Sequence, residues 1–312
     1  MNLRTKPLAA LIFCALISTT AIAGRQEAEA AWESRDYKKA IAELTPMAKK
    51  GNAWSQVQLG VAYGEGLGVA KDHQEAYKWF LKAAQQGSAD GQDNLGVLYD
   101  NGFGVPLDHK EAVKWFLLAA NQGLARSQYS LGYAYANGRG VVRDNIEAVK
   151  WYRRAADSNF LDAQSQLGFH YENGLGVPQN YSEAAKWYGL ASERGHAAAQ
   201  SNLGVMYEKG LGVEPNLKEA LSLFRASAAK GHGPGQLNLG VMYINGTAGL
   251  PRNSIFAYAL FNLAASNGVE IGREFRDKSA TSMTRSDIAY AQDLSRALSE
   301  PGKMLQILDS MR

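Results

Sequence analysis

The 312-residue chain contains a single cysteine, Cys14, which lies in an apolar segment near the N-terminus. Removal of that segment would exclude disulfides, thiol chemistry and cysteine-ligated metals. The chain also lacks a strong excess of one charge, because 33 basic residues are balanced by 30 acidic ones. The net charge of +3 is too weak to favour nucleic acid or anionic lipid as a partner.

The apolar run from Leu8 to Ile17 is shorter than the roughly 20 residues that a membrane-spanning helix needs. Basic residues precede this run, and the small residues Ala21 and Ala23 follow it. This order is typical of a signal peptide. We predict a signal peptide at residues 1–23, cleavage between Ala23 and Gly24, and a periplasmic or secreted protein with no membrane span after cleavage.

Two other interpretations of the N-terminal segment stay open. An uncleaved segment would act as a membrane anchor, although Ser18-Thr19-Thr20 interrupts the apolar run. The residues Leu11 to Cys14 resemble a lipoprotein signal, but Phe13 is a poor residue before a lipidated cysteine. Cleavage without lipidation therefore fits the segment best.

A Leu-Gly pair recurs every 36 residues, and this regularity is the main positive feature of the sequence. Six recurrences in phase indicate a repeat architecture. The pairs are Leu59-Gly60, Leu95-Gly96, Leu131-Gly132, Leu167-Gly168, Leu203-Gly204 and Leu239-Gly240.

The first half of each repeat has the spacing of a helix. In the first repeat, Gln56, Leu59 and Tyr63 fall on one helical face. Gly60 lies beside that face, and a glycine inside a helix costs about 1 kcal/mol relative to alanine. A glycine at this place in all six repeats predicts a close approach of a second helix.

A Gly-x-Gly loop then ends the helix, and a residue of N-cap type begins the next one. Gly66 suits the left-handed position after a helix C-terminus. The N-cap positions hold aspartate or asparagine, which are preferred there; these are Asp72, Asp108, Asp144, Asn180 and Asn216.

The second half of each repeat carries small and aromatic residues at helical spacing. Ala76, Trp79, Phe80, Ala83 and Ala84 form an amphipathic stripe that a lone hairpin cannot bury. Stacking of hairpins buries such stripes, so an α-solenoid is predicted. The equivalent tryptophans are expected to belong to the core rather than to a ligand cage; these are Trp79, Trp115, Trp151 and Trp187.

The pattern A-x-x-Q-x-x-L-G-x-x-Y-x-x-G-x-G-V, followed by A-x-x-W-Y/F-x-x-A-A-x-x-G, resembles the Sel-one-like repeat, a relative of the tetratricopeptide repeat. The match covers about residues 52–268. The resemblance implies an all-α, right-handed α-α superhelix of six 36-residue helix-loop-helix repeats. The expected boundaries are 24–51 for a degenerate N-terminal helical unit, 52–87, 88–123, 124–159, 160–195, 196–231 and 232–268 for the repeats, and 269–312 for a C-terminal cap.

Departures from the pattern concentrate towards the C-terminus. Leu223 stands where tryptophan is expected, and Ser227 stands where alanine is expected. Thr284 and Asp287 predict a capped amphipathic helix, which Pro301-Gly302 would end. Residues 305–311 are predicted to form a short helix or a frayed tail.

No constellation in the sequence favours catalysis. The Gly-x-Gly loops follow helices, whereas a nucleotide-binding loop follows a strand. Ser227-x-x-Lys230 matches a motif of penicillin-recognising enzymes, but the accompanying Ser-Asp-Asn and Lys-Thr-Gly motifs are missing. The five histidines form no metal-binding pattern. We therefore expect no enzyme, no cofactor and no metal site.

The resemblance to tetratricopeptide solenoids implies that the first helices line a concave, partner-binding face. Positions −5, −2, +2, +5 and +6 from each repeat leucine are expected to point outward, and they vary between repeats. Arginine and aromatic residues are frequent binding hot spots. The predicted anchor cluster comprises Arg126, Tyr129, Tyr133 and Phe169, although Tyr133 and Phe169 could instead pack between neighbouring first helices. The further partner-binding candidates are Asp90, Asp93, Asp100, Asp162 and Glu172.

These features predict a monomeric, non-catalytic adaptor of the bacterial cell envelope that binds a protein or peptide. The alternative is a secreted or surface factor that interacts with host proteins. A cell-wall or beta-lactam-active enzyme is the third interpretation, and the missing catalytic motifs argue against it.

Overall fold

The structure is a computed structural model that describes residues 24–310. The predicted signal peptide lies outside the described residues. The chain divides into two compact units with the boundary between Asp144 and Asn145. Both units consist of α-helices joined by short loops, so the predicted all-α helix-loop-helix repeats are confirmed.

The first unit contains α1 to α7. The helices are α1 at residues 24–33, α2 at Tyr37–Lys49, α3 at Ala53–Glu65, α4 at His73–Gln85, α5 at Ala89–Asn101, α6 at His109–Asn121 and α7 at Ala125–Asn137. Helices α1 and α2 form the predicted N-terminal helical unit, and Asp36 caps α2.

The second unit contains α8 to α17. The helices are α8 at Asn145–Asp157, α9 at Leu161–Asn173, α10 at Tyr181–Glu193, α11 at Ala197–Lys209, α12 at Leu217–Ala229, α13 at Gly233–Asn245, α14 at Ser254–Ser266, α15 at Ile271–Ala280, α16 at Arg285–Ser299 and α17 at Lys303–Ser310.

The two helices of a hairpin pack closely where the Leu-Gly pair lies. A Cβ atom added to Gly60 would fall 2.4 Å from the ring of Phe80 in the second helix of the same repeat. The equivalent contact joins Gly96 to Phe116 and Gly168 to Tyr188. The predicted close helix approach is therefore confirmed, and the aromatic ring of the second helix explains why alanine is excluded.

Each hairpin loop is held by the caps that the sequence predicts. Gly66 adopts a left-handed conformation with φ of 73° and ends α3. Asp72 begins α4, and its carboxylate accepts hydrogen bonds from the backbone N–H groups of Gln74 and Glu75 at 2.9 and 3.0 Å. Since these local bonds recur in later repeats, the loop length and the entry into each second helix are fixed by side chains of the repeat itself.

A glutamine that recurs in all six repeats joins each first helix to the second helix that precedes it. The side-chain amide of Gln56 donates to the carbonyl of Ala48 at 3.0 Å. The same bond, spanning eight residues at 3.2 to 3.5 Å, is made by Gln92, Gln128, Gln164, Gln200 and Gln236. It gives a second donor to a carbonyl in the last turn of a helix, which also accepts from the backbone N–H three residues later.

Trp79 belongs to the core, as predicted for the repeat tryptophans. Trp79 of α4 belongs to a buried cluster with Leu44 of α2 and Leu59 of α3. Its outer side is covered by Lys82, whose ammonium group lies 4.1 Å from the ring centroid. The ring is therefore enclosed by the protein's own side chains.

The C-terminal segment folds back onto the last repeats. Thr284 and Asp287 form the predicted capping box at the start of α16. Helix α15 was not expected from the repeat pattern, which ends before it. Helix α17 packs against α12, where Arg225 donates to Asp309 at 2.6 Å. The C-terminal segment thus contains three helices: α16 and a short terminal helix, which was one of the two predictions for residues 305–311, and α15, which was not predicted.

Across residues 24–310, none of the helices combines the length and the apolar character that crossing a bilayer requires.

Candidate binding face on the first helices

Arg126 of α7 bridges two carboxylates of α5. Its Nη2 atom lies 2.8 Å from Asp90 Oδ1, and its Nε atom lies 2.5 Å from Asp93 Oδ2. The structure therefore brings together three of the predicted binding residues. It also shows that the guanidinium is already paired, so the cluster carries two carboxylates against one cation.

Asp93 does not point outward as expected, because only 4% of the residue is exposed. Ser127 of α7 donates to its second carboxylate oxygen. Burial raises the pKa of Asp93, and the adjacent Arg126 and the Ser127 hydroxyl oppose that rise. Asp93 lies two residues before the repeat leucine, at a position that faces the neighbouring first helix. Ser165 and Ser201 hold the same position in later repeats and are buried as well.

A groove of about 340 Å³ lies beside this cluster in the first unit. Its lining includes Trp54, Gln58 and Val61 of α3, together with Asp90 and Arg126. The guanidinium of Arg25 in α1 lies 4.7 Å from the centroid of the Trp54 ring. A half-buried aromatic ring, an open groove and a charged cluster therefore meet on the first helices of this unit.

Trp54 was missing from the predicted binding set, although the sequence carried a signal for it. It occupies position −5 in the first repeat, the position that Asp90 and Arg126 occupy in the next two. The predicted candidates lie in the second, third and fourth repeats, and Trp54 extends the same position to the first repeat.

Tyr133 lies on the outer surface of α7 with 40% of the residue exposed. Arg139 lies 5.7 Å above its ring, and the same guanidinium approaches Asp100 Oδ2 at 3.2 Å. Asp100 also contacts His109 Nδ1 at 2.8 Å. Tyr133, Arg139 and Asp100 line a cavity of about 70 Å³ together with Tyr129. Tyr133 is therefore accessible, and its role in binding stays a prediction.

The remaining candidates lie in the second unit. Phe169 of α9 is 43% exposed, and Asp162 is exposed beside His196, 3.1 Å from its Nε2 atom. Glu172 is half-buried and accepts a hydrogen bond of 2.8 Å from the hydroxyl of Tyr188 in α10. Burial first, and the charge of Glu172 second, raise the pKa of Tyr188. Glu172 thus serves the packing of its own hairpin.

Ser227 cannot act as a nucleophile towards a substrate, because it is completely buried. Its hydroxyl donates to the carbonyl of Ala197 at 2.8 Å, and Lys230 donates to the carbonyl of Gly195. Both groups of the Ser-x-x-Lys motif therefore join α12 to the N-terminal end of α11. Over the described part of the chain, no group of three or more histidine, cysteine, aspartate or glutamate residues is placed to hold a metal ion.

These features define a class of protein, that of helix-loop-helix repeat proteins whose first helices present a variable surface. The sequences of the repeats identify the family. The Sel1 repeat family matches residues 55–88, 89–124, 125–160, 161–196, 197–232 and 233–269. The chain belongs to the Sel1 repeat family, whose members mediate protein binding.

Solved structures that are similar to this chain include two bacterial repeat proteins. A Sel1 repeat protein from Oxalobacter formigenes is 32% identical, with 78% of this chain and 96% of that chain covered and a TM-score of 0.71. The protective antigen c5321, present in uropathogenic Escherichia coli strains and displaying an SLR fold, is 27% identical, with 93% of this chain and 71% of that chain covered and a TM-score of 0.56. No curated protein matches the chain.

Proposed function

We propose that the surface formed by α3, α5 and α7 binds a segment of another protein, and that this chain works as a non-catalytic adaptor. The observation that supports this proposal is the groove of about 340 Å³ in which Trp54 lies beside the charged cluster of Asp90, Asp93 and Arg126. Tryptophan and arginine are enriched among residues that dominate binding energy.

The charges of the groove indicate what kind of segment fits it. Asp93 is buried and satisfied by Arg126 and Ser127, whereas Asp90 is exposed. Asp90 can therefore accept a further hydrogen bond from a partner. An apolar side chain against Trp54, next to a lysine, an arginine or a backbone N–H at Asp90, would complement both features.

The cell envelope is the proposed place of action. The basic and apolar segment before Gly24 supports cleavage between Ala23 and Gly24 and delivery to the periplasm or beyond. We propose a monomer there, since the repeat stripes are buried within the chain itself. The mass of the exported protein would test the cleavage point directly.

Site-specific photo-crosslinking in living cells tests the binding surface. A crosslinking residue at Gln58, which lines the groove, is expected to trap a defined partner, whereas one at the exposed Leu118 of α6 is expected to trap none. The product at Gln58 should disappear when Trp54 is replaced by alanine. Equal products at both positions, or a product that survives Trp54→Ala in a folded protein, would contradict the proposal.

A role in host interaction is the alternative function, and the similarity to a protective antigen of uropathogenic Escherichia coli supports it. The two roles differ in where the mature protein accumulates. Recovery in the osmotic-shock fraction supports an envelope adaptor, and recovery from the culture supernatant or labelling at the cell surface supports the alternative.

A further inference from the structure

A second groove lies in the second unit, between the second helices α10 and α12. Its volume is about 560 Å³, and its lining includes Gly189 of α10, Leu223 of α12 and Gln200 of α11. The groove is formed by other helices than the α3, α5 and α7 surface, so it does not depend on the function proposed above.

The groove lies where two residues are both smaller than the residues at the equivalent positions one repeat earlier. One repeat earlier, the guanidinium of Arg153 in α8 lies 5.5 Å from the ring centroid of Trp187 in α10. The residues 36 positions later are Gly189 and Leu223. A stacked pair of large side chains is thus replaced by a glycine and a leucine, and the space between the helices is left open.

Packing does not explain the glycine. Gly189 lies in the middle of α10 without a positive φ, and a Cβ atom added to it would meet nothing within 4 Å. Leucine occupies the equivalent place in Leu81 and Leu117. Glycine is a poor helix former, and here neither backbone geometry nor a steric clash requires it. The residue that weakens α10 is the same one that keeps the groove open.

One residue that lines the groove also carries a buried acceptor that lacks a donor. Gln200 is more than nine-tenths buried, and its Oε1 atom has no hydrogen-bond partner among the described residues. In the first two repeats the equivalent oxygen accepts from Gln86 or Gln122 at 2.7 Å. Lys230 takes that place here and donates to Gly195 instead. The oxygen is enclosed by the protein, and its equivalents in Gln128 and Gln164 are unpaired too, so it marks a lost contact between the helices and not a contact for an occupant of the groove.

We propose that the α10–α12 groove binds the side chain of a tryptophan from a partner protein in the space between Gly189 and Leu223. The indole would fill space that an aromatic ring of the chain occupies between other second helices. The exposed Glu193 and Glu219 at the rim, with Lys186 as the opposing charge, suit a tryptophan that is followed or preceded by a basic residue.

Titration with N-acetyl-tryptophanamide, followed by the backbone amide signals of the ¹⁵N-labelled protein, tests this proposal. Saturable shifts are expected at Gly189 and Leu223. Restoring the bulk of the repeat pattern by Leu223→Trp or Gly189→Leu should abolish the shifts. Both variants carry residues that other repeats hold at the same place, so their melting temperatures are expected to equal or exceed that of the parent protein. Leu117→Arg, the equivalent of position 189 in α6, serves as the matched control and should leave the shifts unchanged.

The chemistry of the occupant is tested by comparing ligands. Equal binding of N-acetyl-leucinamide would overturn the assignment to tryptophan. Binding of free indole without binding of the capped amide would overturn docking of a protein segment. The site itself would be overturned if N-acetyl-tryptophanamide did not bind the parent protein, or if it still bound folded Leu223→Trp.

Discussion

The Nε atom of Arg126 lies 2.5 Å from a carboxylate oxygen of Asp93, 33 residues earlier in the chain, and pairs a charge that is almost fully buried. This relationship joins two neighbouring first helices of the first unit. It also means that one residue of the predicted binding surface stabilises the fold beneath that surface.

Removal of the guanidinium should therefore destabilise the protein in a pH-dependent way. Arg126→Ala leaves Asp93 buried beside Ser127 alone, and we expect a loss of about 1 to 2 kcal/mol at pH 7, less than for a fully buried pair because Arg126 is half exposed. Burial already raises the pKa of Asp93, and the loss of Arg126 raises it further. The loss of stability in Arg126→Ala should hence be complete above the pKa of Asp93 and diminish as the pH falls through that pKa. Denaturant unfolding of both proteins at pH 7 and pH 4 can measure this difference.

The control for this prediction is available in the chain. Serine replaces Asp93 at the equivalent positions Ser165 and Ser201. The double variant Asp93→Ser/Arg126→Ala should regain most of the lost stability at pH 7. A loss in Arg126→Ala that is the same at both pH values would show that the charge of Asp93 is not the cause.

Substitution by alanine at two glycines of α3 should change the stability of the protein in opposite directions. A Cβ at Gly60 would meet the Phe80 ring at 2.4 Å, so Gly60→Ala is expected to cost about 1 to 3 kcal/mol through overpacking. A Cβ at Gly64 would lie 3.8 Å from Ala76, an ordinary contact, so Gly64→Ala should stabilise by about 0.5 to 1 kcal/mol through helix propensity. Thermal unfolding of both variants checks the contrast; similar effects at the two positions would show that the aromatic contact does not select glycine.

Arg194→Gln should supply a missing hydrogen bond in the second unit. The Oε1 atom of Gln164 is buried without a partner among residues 24–310, whereas its equivalents in Gln56 and Gln92 accept from a glutamine 30 residues later. A glutamine at 194 reproduces that geometry and should raise stability by about 1 kcal/mol. Arg194→Ala controls for loss of the bond from Arg194 to the Asn159 carbonyl. A glutamine variant no more stable than the alanine variant would refute the explanation.

His170 should make the fold sensitive to mild acid. Burial lowers its pKa below the usual 6.5, because the charged ring loses its hydration, while the bond from Nδ1–H to the Leu175 carbonyl opposes that shift. The stability that depends on neutral His170 is therefore complete above pH 6.5 and is lost as the pH falls below it.

Methionine at position 170 tests this sensitivity, since Met206 and Met242 occupy the equivalent buried place in later repeats. Between pH 7.5 and 5.5, the free energy of unfolding of His170→Met should fall less than that of the parent protein. The remaining slope is expected from His232, whose pKa burial and then His196 also lower. Parallel pH profiles would show that His170 carries no part of the acid response.

The helices and loops of the repeats could be predicted because their determinants are local. Asp72 and Gly66 act within a few residues of their own position, and the stripe around Trp79 follows from helical spacing alone. The capping box of Thr284 and Asp287 is equally local. Such features need no knowledge of which helices become neighbours.

The binding surface was predicted less well, because the direction of a side chain depends on the helix that packs beside it. Asp93 lies on a face that is outward in an isolated hairpin and buried once α7 is in place. The groove at Gly189 and Leu223 likewise requires α10 and α12 to be placed side by side. Helix α15 and the return of α17 onto α12 lie beyond the last repeat, where no internal copy could guide a prediction.

The glutamine amide that joins each first helix to the preceding second helix gives the repeats a direction. In all six cases the donor lies eight residues after its acceptor, so each bond is completed by the newer part of the chain. A chain that emerges N-terminus first, from a ribosome or from a secretion channel, thus presents a finished docking site before each next hairpin arrives. The repeats can be assembled in the order in which they are delivered, without waiting for the C-terminal helices.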